Sequence, residues 1–556
     1  MKKIIIDILK KEVHLSKEKI ENLLEIPPKQ EMGDYAFPCF SLAKEEKKSP
    51  LLIAENLAKK LIKKETKEIQ GIKTAGPYIN FFINKTLLAE KVLKETKKKN
   101  WGTNKNGKGK TICIDLAAPN IAKPFGIGHL RSTIIGDSIS KIANANGYKT
   151  IKINYLGDWG TQFGKIILAY KKWGNSEKLN KDPITHLQEL YVKVNADKSL
   201  DDEARTEFKK LEEGDKENLK LWKHFRELSL KEFNKTFKML NVKFDIISGE
   251  SKYNDKMGNI IQLLEKQKLL IKDEGAKIID LKKENKGVVL IQKSDGTSLY
   301  ATRDLAAAIN RKKEYNFDKL IYEVGSEQTL HFQQIFRTLE LLKFDWAKNC
   351  IHVSHGLYLA PDGKKFSTRQ GKTIYMSDIL KETISKAKKN LEDRENNLSK
   401  KELEKKSQTI AIAAIKYGDL KSYRQNNIIF DIDKFLAFEG DTGPYLLYSY
   451  ARANSITRKV KQNKEIKIID LKDSEIALLK KIESFPNITE KAYRELSPNL
   501  IANYSFELAK VFNEFYHNCP VIGGIEEGFR LELIKSFKIT LKKSLELLGI
   551  ETLEEM

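Results

Sequence analysis

The chain contains little cysteine and no long apolar run. Its four cysteines, Cys39, Cys113, Cys350 and Cys519, lie far apart and form no Cys-x-x-Cys pair. This spacing predicts neither a zinc site nor a disulfide framework, and it favours the cytoplasm. The apolar patch near the start covers only residues 4–6, too short for a signal peptide, and no apolar run approaches the length of a membrane span. The sequence therefore predicts a cytoplasmic protein without a membrane segment.

The length and composition predict a folded protein of several domains with a polyanionic partner. A chain of 556 residues is too long for one core and suggests three or four domains. Hydrophobic residues make up 40% and charged residues 32%, which is typical of a folded chain rather than a disordered one. The net charge of +24 favours nucleic acid as a partner. The alternative is a general lysine-rich composition without a functional meaning.

One stretch, AAPNIAKPFGIGHLRS (117–132), has the pattern of an anion-binding turn. The apolar run 111–116 before it predicts a buried strand, and apolar residues at helical spacing after it predict a helix from about Gly128. Gly126 and Gly128 let a ligand approach the backbone, and His129 can donate to a phosphate. The alternative is an ordinary strand-to-helix crossover.

Further strand patterns predict a parallel α/β sheet interrupted by a helical insertion. Residues 151–164 form a strand that ends in a glycine-rich loop, which we expect to face the first turn at the carboxyl edge of the sheet. Strand patterns return at 287–291 and 319–324, and Asp295-Gly296 signals a hairpin turn. Residues 175–275 are charged and helical. The regular alternation predicts a nucleotide-binding fold with an inserted helical region.

Three other regions carry functional patterns. The loop 361–372 has four cationic side chains and two hydroxyls, which suit phosphate chemistry, although a solvated basic loop is the alternative. Residues 1–105 form a small α/β module in which aromatic residues beside basic ones suit RNA bases. From about residue 400 the pattern is helical, and the tyrosine-rich segment 443–452 fits an RNA-reading helix. Core packing remains the alternative for each aromatic residue taken singly.

Several blocks in the same order resemble class I arginyl-tRNA synthetases, from about residue 30 onward. Residues 119–125 and 128–136 are similar to a variant of that family's His-Ile-Gly-His signature, and KFSTR (365–369) is similar to its Lys-Met-Ser-Lys-Ser loop. The remaining blocks resemble two further catalytic motifs and the anticodon-binding domain: GDWGTQFG (157–164), YATRD (300–304), FEGDTGPY (438–445) and FNEFYHNCPV (512–521).

The resemblance implies a multidomain α/β architecture. Residues 106–400 would form a Rossmann-type parallel-sheet catalytic domain, with the insertion at 175–275 and the cationic loop at 361–372. Residues 1–105 would be a small α/β domain that contacts the tRNA elbow, and 401–556 an all-α anticodon-binding bundle.

The resemblance also implies the reaction and its phosphate-binding residues. The arginine carboxylate would attack the α-phosphate of ATP, and the adenylate would then pass its aminoacyl group to the 2′-hydroxyl of the terminal adenosine of tRNA(Arg). ATP would enter with Mg²⁺, no zinc is expected, and arginine activation would require bound tRNA. The implied catalytic residues are Lys123, His129, Lys365, Ser367 and Arg369, and the ATP site adds Pro119, Gly126 and Gly128 to His129 and Lys365.

A guanidinium is planar, always charged and rich in donors, so its pocket needs carboxylates and aligned acceptors. The resemblance assigns such a pocket to Asp115, Asn120, Tyr300, Asp304 and Gln328. It also makes Tyr78, Asn80, Phe82, Tyr445, Tyr448 and Tyr516 candidate tRNA contacts.

The chain departs from the family pattern at three places. Gly126 stands where the signature usually has its first histidine, Ala118 replaces a usual serine, and Asp115 is one methylene shorter than the common glutamate. The cationic loop 361–372 also lacks the second lysine, with Thr368 and Arg369 in its place. The family commonly lacks this lysine, and the resemblance implies that Lys123 compensates for it. The leading hypothesis is a monomeric arginine–tRNA ligase. A catalytically weakened RNA-binding paralogue and another class I nucleotidyltransferase are the alternatives.

Overall fold

The protein is described by a computed structural model. It describes residues 1–64, 66–294, 299–364, 368–369, 372–373, 375–393, 398–460 and 465–556. The chain forms two compact units. The first contains residues 1–101, 453–486 and 507–541, and the second contains 102–452, 487–506 and 542–556. Within the described part, no helix combines the length and apolarity needed to cross a bilayer.

The N-terminal residues form a small sheet flanked by helices. Its elements are α1 (Lys2–Lys10), α2 (Lys17–Leu23), β1 (Tyr35–Pro38), α3 (Phe40–Glu46), α4 (Pro50–Ile62), β2 (Ile69–Ala75), β3 (Tyr78–Ile83) and α5 (Lys85–Thr96). The sheet is antiparallel with the order β1-β3-β2. β3 alternates, so that Ile79, Phe81 and Ile83 point into the core. The predicted α/β character of this region is therefore confirmed.

The middle of the chain holds the main sheet and the helical insertion. Its elements are β4 (Thr111–Asp115), α6 (Ile127–Ala145), β5 (Lys149–Leu156), α7 (Thr161–Trp173), α8 (Ser176–Lys181), α9 (Pro183–Ala196), α10 (Asp201–Glu212), α11 (Lys216–Met239), β6 (Ile246–Gly249), α12 (Met257–Lys266), β7 (Ile271–Asp273), β8 (Ala276–Asp280), β9 (Val288–Gln292), α13 (Tyr300–Tyr315), β10 (Lys319–Gly325), α14 (Thr329–Leu341), β11 (Cys350–His355), β12 (Tyr358–Leu359), β13 (Thr368–Arg369), β14 (Lys372–Thr373), α15 (Met376–Glu392), α16 (Lys400–Leu420), β15 (Ile428–Ile429) and α17 (Ile432–Phe435).

The C-terminal part is helical, as predicted. Its elements are α18 (Gly443–Lys459), α19 (Asp473–Glu483), α20 (Phe485–Arg494), α21 (Asn499–Asn518) and α22 (Glu527–Leu547). In the first unit, α22 is joined to the N-terminal region by buried hydrogen bonds. Thr96 Oγ1 lies 2.9 Å from Ser536 Oγ, and Trp101 Nε1 donates to Thr540 Oγ1 at 3.0 Å.

The main sheet is parallel, with the order β11-β10-β4-β5-β6. β4 is buried on both faces, as expected of a strand between helical layers. One face packs on α12, α13 and α14 through a core that includes Cys113, Ile153, Leu264, Leu305 and Ile335. This arrangement confirms the predicted Rossmann-type sheet, and the chain order reverses between β4 and β10.

Two sequence interpretations in this region were incomplete. β6, the last strand of the sheet, lies inside the segment 175–275 that we expected to be helical. β9 belongs to a separate antiparallel sheet, β7-β8-β9, rather than to the parallel one. The predicted Asp295-Gly296 hairpin turn lies outside the described residues.

Candidate active site

The candidate site lies where the chain order of the parallel sheet reverses. β4 ends at Asp115 and β10 at Gly325, and Tyr322 of β10 lies opposite Asp115. In open α/β sheets, ligands bind outside the carboxyl ends of the strands at such a switch point. The loop 116–126, called the signature loop below, leaves β4 here and enters α6.

The N-terminus of α6 is open around Gly126 and Gly128. Gly126 is its N-cap, and a Cβ placed at Gly126 or Gly128 would meet no atom within 4 Å. A ligand can therefore approach the helix N-terminus, where free N–H groups and the dipole favour an anion. This geometry supports the phosphate-binding interpretation of the turn.

His129 is a neutral hydrogen-bond donor in this position. The Gly126 N–H donates to Nδ1 of His129 at 3.2 Å, so Nδ1 is unprotonated and the proton sits on Nε2. Loss of hydration lowers the pKa of His129 to about 4, against a smaller opposing effect of the Gly126 hydrogen bond. At neutral pH the imidazole is uncharged and offers its Nε2–H.

The loop after β5 lies beside the signature loop, as predicted. Gly157 N–H donates to Pro119 C=O at 3.1 Å, and Ile121 N–H donates to Gly157 C=O at 3.2 Å. A Cβ at Gly157 would lie 2.0 Å from Asn120 Oδ1, so a larger residue there would have to displace the Asn120 side chain. The pairing places the half-buried Asn120 at the sheet edge.

Asp158, the next residue, is an anchor of this loop. Its carboxylate is fully buried and accepts from Arg226 Nε at 3.0 Å and from the N–H and hydroxyl of Ser251 at 2.9 and 3.0 Å. Its backbone carbonyl accepts from Trp222 Nε1 at 2.7 Å. Asp158 therefore ties the loop to α11 and to the segment after β6.

Carboxylates accumulate around the ends of β4 and β6. Asp115 is buried and pairs with Arg311 Nη2 at 2.7 Å. Glu250, directly after β6, lies 3.4 Å from Arg303 Nη1, and Asp304 Oδ2 lies 2.7 Å from His331 Nε2. Burial, followed by repulsion from Asp304 and Asp158, raises the pKa of Glu250 to about 7 against the opposing effect of Arg303. A cationic group bound near Asp304 would relieve the repulsion that Glu250 experiences.

Tyr300 and Gln328 are exposed, whereas Lys123 is half-buried. Tyr300 is 58% exposed at the start of α13, with its ring 4.9 Å from that of His331, and Gln328 is exposed after β10. Lys123 is half-buried, with Nζ 4.9 Å from the centroid of the Tyr191 ring.

The segment that follows β14 contacts the signature loop. Lys365 and Ser367 lie outside the described residues, and Arg369 is described only through its backbone in the antiparallel pair β13-β14. At the start of α15, Met376 N–H donates to Phe125 C=O at 3.0 Å. The described end of this segment is thus fixed next to the N-terminus of α6.

A second buried polar cluster links α6 to α16. Arg131 Nε lies 3.0 Å from Asp419 Oδ2, each side chain 1% exposed, and Tyr358 donates to the same carboxylate. Glu323 on β10 is fully buried, and its Oε1 is 3.6 Å from His355 Nδ1. Burial raises the pKa of Glu323 to about 8, so its carboxyl is largely protonated in the fold at neutral pH.

The candidate tRNA residues of the N-terminal region share one face of β3. Tyr78, Asn80 and Phe82 alternate with the core residues of that strand. Tyr78 and Asn80 line a pocket of about 270 Å³ that also includes Ile26, and among the described residues Asn80 Oδ1 has no hydrogen-bond partner.

The candidate tRNA residues of the C-terminal helices differ in exposure. Tyr448 on α18 and Tyr516 on α21 are 37% and 38% exposed, whereas Tyr445 on α18 is half-buried with its ring 5.6 Å from that of Phe506. Two of these three tyrosines therefore present much of their surface to solvent.

Sequence reasoning missed Arg311, Glu250 and His331. Arg311 lies two helical turns after Asp304, so the helical period alone could have placed its side chain on the same face of the helix as Asp304. Glu250 and His331 carry no such local signal, because their partners come from other segments.

Matches to known protein families define the class of protein to which the chain belongs. The family model "tRNA synthetases class I (R), catalytic domain" matches residues 90–432. The models "Arginyl tRNA synthetase N terminal domain" and "DALR anticodon binding domain" match residues 1–83 and 446–556. The parallel sheet and these matches define a class I aminoacyl-tRNA synthetase.

Full-length relatives then define the family. The chain is 46% identical to an arginine–tRNA ligase of Clostridium perfringens and 44% identical to one of Lactobacillus johnsonii, covering 100% and 99% of each chain, respectively. The arginyl-tRNA synthetase structure from Plasmodium falciparum has a TM-score of 0.85 at 27% identity, and covers 100% of this chain and 99% of its own. The Thermus thermophilus arginyl-tRNA synthetase has the same fold, with a TM-score of 0.84 at 23% identity and the same coverage. The chain belongs to the arginyl-tRNA synthetase family.

Proposed function

We propose that the protein joins arginine to tRNA(Arg) in two steps. A carboxylate oxygen of arginine attacks the α-phosphorus of ATP and pyrophosphate leaves. The 2′-hydroxyl of the tRNA's terminal adenosine then attacks the carbonyl carbon of the adenylate, and AMP leaves. The observation that carries this proposal is the pairing, at one sheet edge, of a carboxylate cluster suited to a cation with a helix N-terminus suited to an anion.

We propose that the signature loop and the cationic loop hold the nucleotide. Gly126 and Gly128 leave room for the phosphates and Pro119 lies beside the nucleotide, while His129 donates through Nε2. Lys123 adds positive charge. The cationic loop contributes Lys365, Ser367 and Arg369. These groups stabilise charge as it moves onto the pyrophosphate, without a covalent intermediate on the enzyme.

We propose that the arginine side chain binds at the carboxylate cluster. Asp304 and Tyr300 lie four residues apart on α13, on one face, so that a carboxylate and a hydroxyl meet the planar guanidinium together. Asn120 and Gln328 bind the α-amino and carboxylate end. Asp115 lies beside this pocket at the end of β4, and its ion pair with Arg311 fixes its orientation.

We propose three functional regions. Residues 1–105 contact the tRNA elbow through Tyr78, Asn80 and Phe82, residues 106–400 catalyse the reaction, and residues 401–556 read the anticodon through Tyr445, Tyr448 and Tyr516.

Mg²⁺ enters with ATP as its counterion, since it usually binds through substrate phosphates. The enzyme works as a cytoplasmic monomer, which analytical ultracentrifugation and fractionation test. With a net charge of +24, tRNA binding weakens steeply with salt.

The deciding experiment is ATP–pyrophosphate exchange with arginine, with and without tRNA(Arg). We expect exchange only with tRNA present. Lysine keeps the charge but not the fork of donors, and citrulline keeps the shape but not the charge, so neither should support exchange. The Asp304→Asn variant should lose exchange, whereas the matched control Asp280→Asn, at an exposed position on β8, should not.

Two results would overturn the proposal. Absence of exchange under both conditions, with tRNA still bound, would favour an RNA-binding paralogue. Equal exchange with lysine or citrulline would contradict the assignment of the carboxylate cluster to the guanidinium.

A further inference from the structure

The signature loop contains three alanines in a left-handed conformation. The φ angles are +71° at Ala117, +44° at Ala118 and +59° at Ala122. Side-chain-bearing residues rarely adopt this region because Cβ approaches the following carbonyl oxygen. Such a conformation persists only where surrounding contacts hold it. The contacts that hold these alanines are therefore part of how the loop is built.

Ser132 holds the first left-handed position. It lies on α6, is 6% exposed, and its Oγ accepts from Ala117 N–H at 2.9 Å while donating to Glu323 C=O at 2.6 Å. One hydroxyl thus joins the loop after β4 to α6 and β10, the elements around the switch point. The neighbouring Ala118 N–H donates to Leu116 C=O at 3.0 Å, and this hydrogen bond closes a tight turn around Ala117.

Ser229 holds the other left-handed position in the same way. It is fully buried on α11, and its Oγ accepts from Ala122 N–H at 2.9 Å while donating to Phe225 C=O at 2.7 Å. Asn120 lies between the two held alanines, and Lys123 directly follows the second. The loop is pinned at both ends of its functional segment, by hydroxyls from two different helices.

We propose that Ser132 and Ser229 are positioning residues, which hold Ala117 and Ala122 left-handed and so place Asn120 and Lys123 for the reaction. This inference rests on the proposed function, because it assumes that these loop residues meet arginine and ATP. The two serines contact the loop backbone rather than the substrates.

The test uses full-length variants in tRNA-dependent pyrophosphate exchange. Ser132→Ala and Ser229→Ala should each lower kcat about 10²-fold, the effect of a misplacement of about 1 Å near the chemistry. Glycine adopts positive φ without strain, so it needs no clamp. Ala117→Gly should therefore restore about tenfold or more of the lost kcat in Ser132→Ala, and Ala122→Gly should do so in Ser229→Ala. The crossed pairs should not.

Ser138→Ala is the matched control. Ser138 is also buried on α6, but its Oγ donates to Leu547 C=O at 2.9 Å and does not touch the loop. This variant should lower Tm while kcat stays at the wild-type value. If Ser132→Ala does not fold, Ser132→Cys, which keeps the volume and weakens both hydrogen bonds, is measured with the same glycine rescue.

The possible outcomes distinguish a failure of the positioning role from a failure of the proposed function. Wild-type kcat in both alanine variants, or equal rescue by matched and crossed glycines, would overturn the positioning role. Absence of arginine-dependent exchange in the wild type would instead overturn the proposed function.

Discussion

Replacing His129 by alanine tests how the helix N-terminus acts on phosphate. The His129→Ala variant loses the Nε2–H donor, while Gly126 N–H loses an acceptor that water can replace at this half-buried site. Removal of one well-placed donor should lower kcat for pyrophosphate exchange about 10²–10³-fold, equivalent to roughly 2.7–4 kcal/mol. His129→Gln keeps an N–H near the position of Nε2 and should recover part of this loss.

The pH dependence distinguishes a neutral donor from a charged one. Because the pKa of His129 is lowered to about 4, only about one molecule in a thousand carries the imidazolium at pH 7. The imidazole would charge only near pH 4, so wild type and His129→Gln should share one pH profile between pH 6 and 8. His14→Ala, at an exposed position, is the control.

Two results would refute this reasoning. A wild-type rate that falls from pH 6 to pH 8, with no such fall in His129→Gln, would show that the imidazolium is the active form. A loss smaller than about tenfold in His129→Ala would remove this group from transition-state stabilisation.

Three further predictions follow from the polar environment of the site. Gly126→His should fold normally and keep or raise the exchange rate, since Gly126 has an extended backbone and open space around its Cβ position; a tenfold fall in rate would contradict this. Asp419→Asn leaves Arg131 buried without its counter-charge and should lower the free energy of unfolding in urea by about 3–5 kcal/mol, against less than about 1 kcal/mol for Asp202→Asn, at an exposed pair with Arg205. Burial raises the pKa of Glu323 from 4.5 to about 8, so the wild type loses stability as pH rises through this window. The difference in Tm between Glu323→Gln and the wild type should therefore be more positive at pH 8 than at pH 5. Parallel curves of Tm against pH for the two proteins would contradict this.

The elements around the site were predictable because their signals are local. The apolar run that became β4 and the helical spacing that became α6 each lie within one short segment. The expectation that the loop after β5 faces the signature loop also held, because parallel strands bring their carboxyl ends to one edge. β6 was missed because it is only four residues long and lies between charged helices.

The supporting layer of the site was not predictable, because its contacts join distant segments. Ser229 lies 107 residues from Ala122, and Arg311 lies far along the chain from Asp115. Alanine also ordinarily avoids positive φ, so nothing in its identity announced the left-handed turns at Ala117 and Ala122. The functional segments were thus visible in the sequence, whereas the residues that shape them were visible only in the fold.

The hydrogen bonds between the N-terminal region and α22 can form only late in synthesis of the chain. Thr96 and Ser536 are 440 residues apart, and Trp101 and Thr540 are 439 apart. At about 5–20 residues per second, the ribosome needs roughly 20–90 s to deliver the second partner after the first has emerged. Throughout that interval Trp101, 7% exposed in the finished fold, lacks the contact with α22 that it has there. The N-terminal region therefore lacks α22 for most of translation, which leaves time for a chaperone to bind.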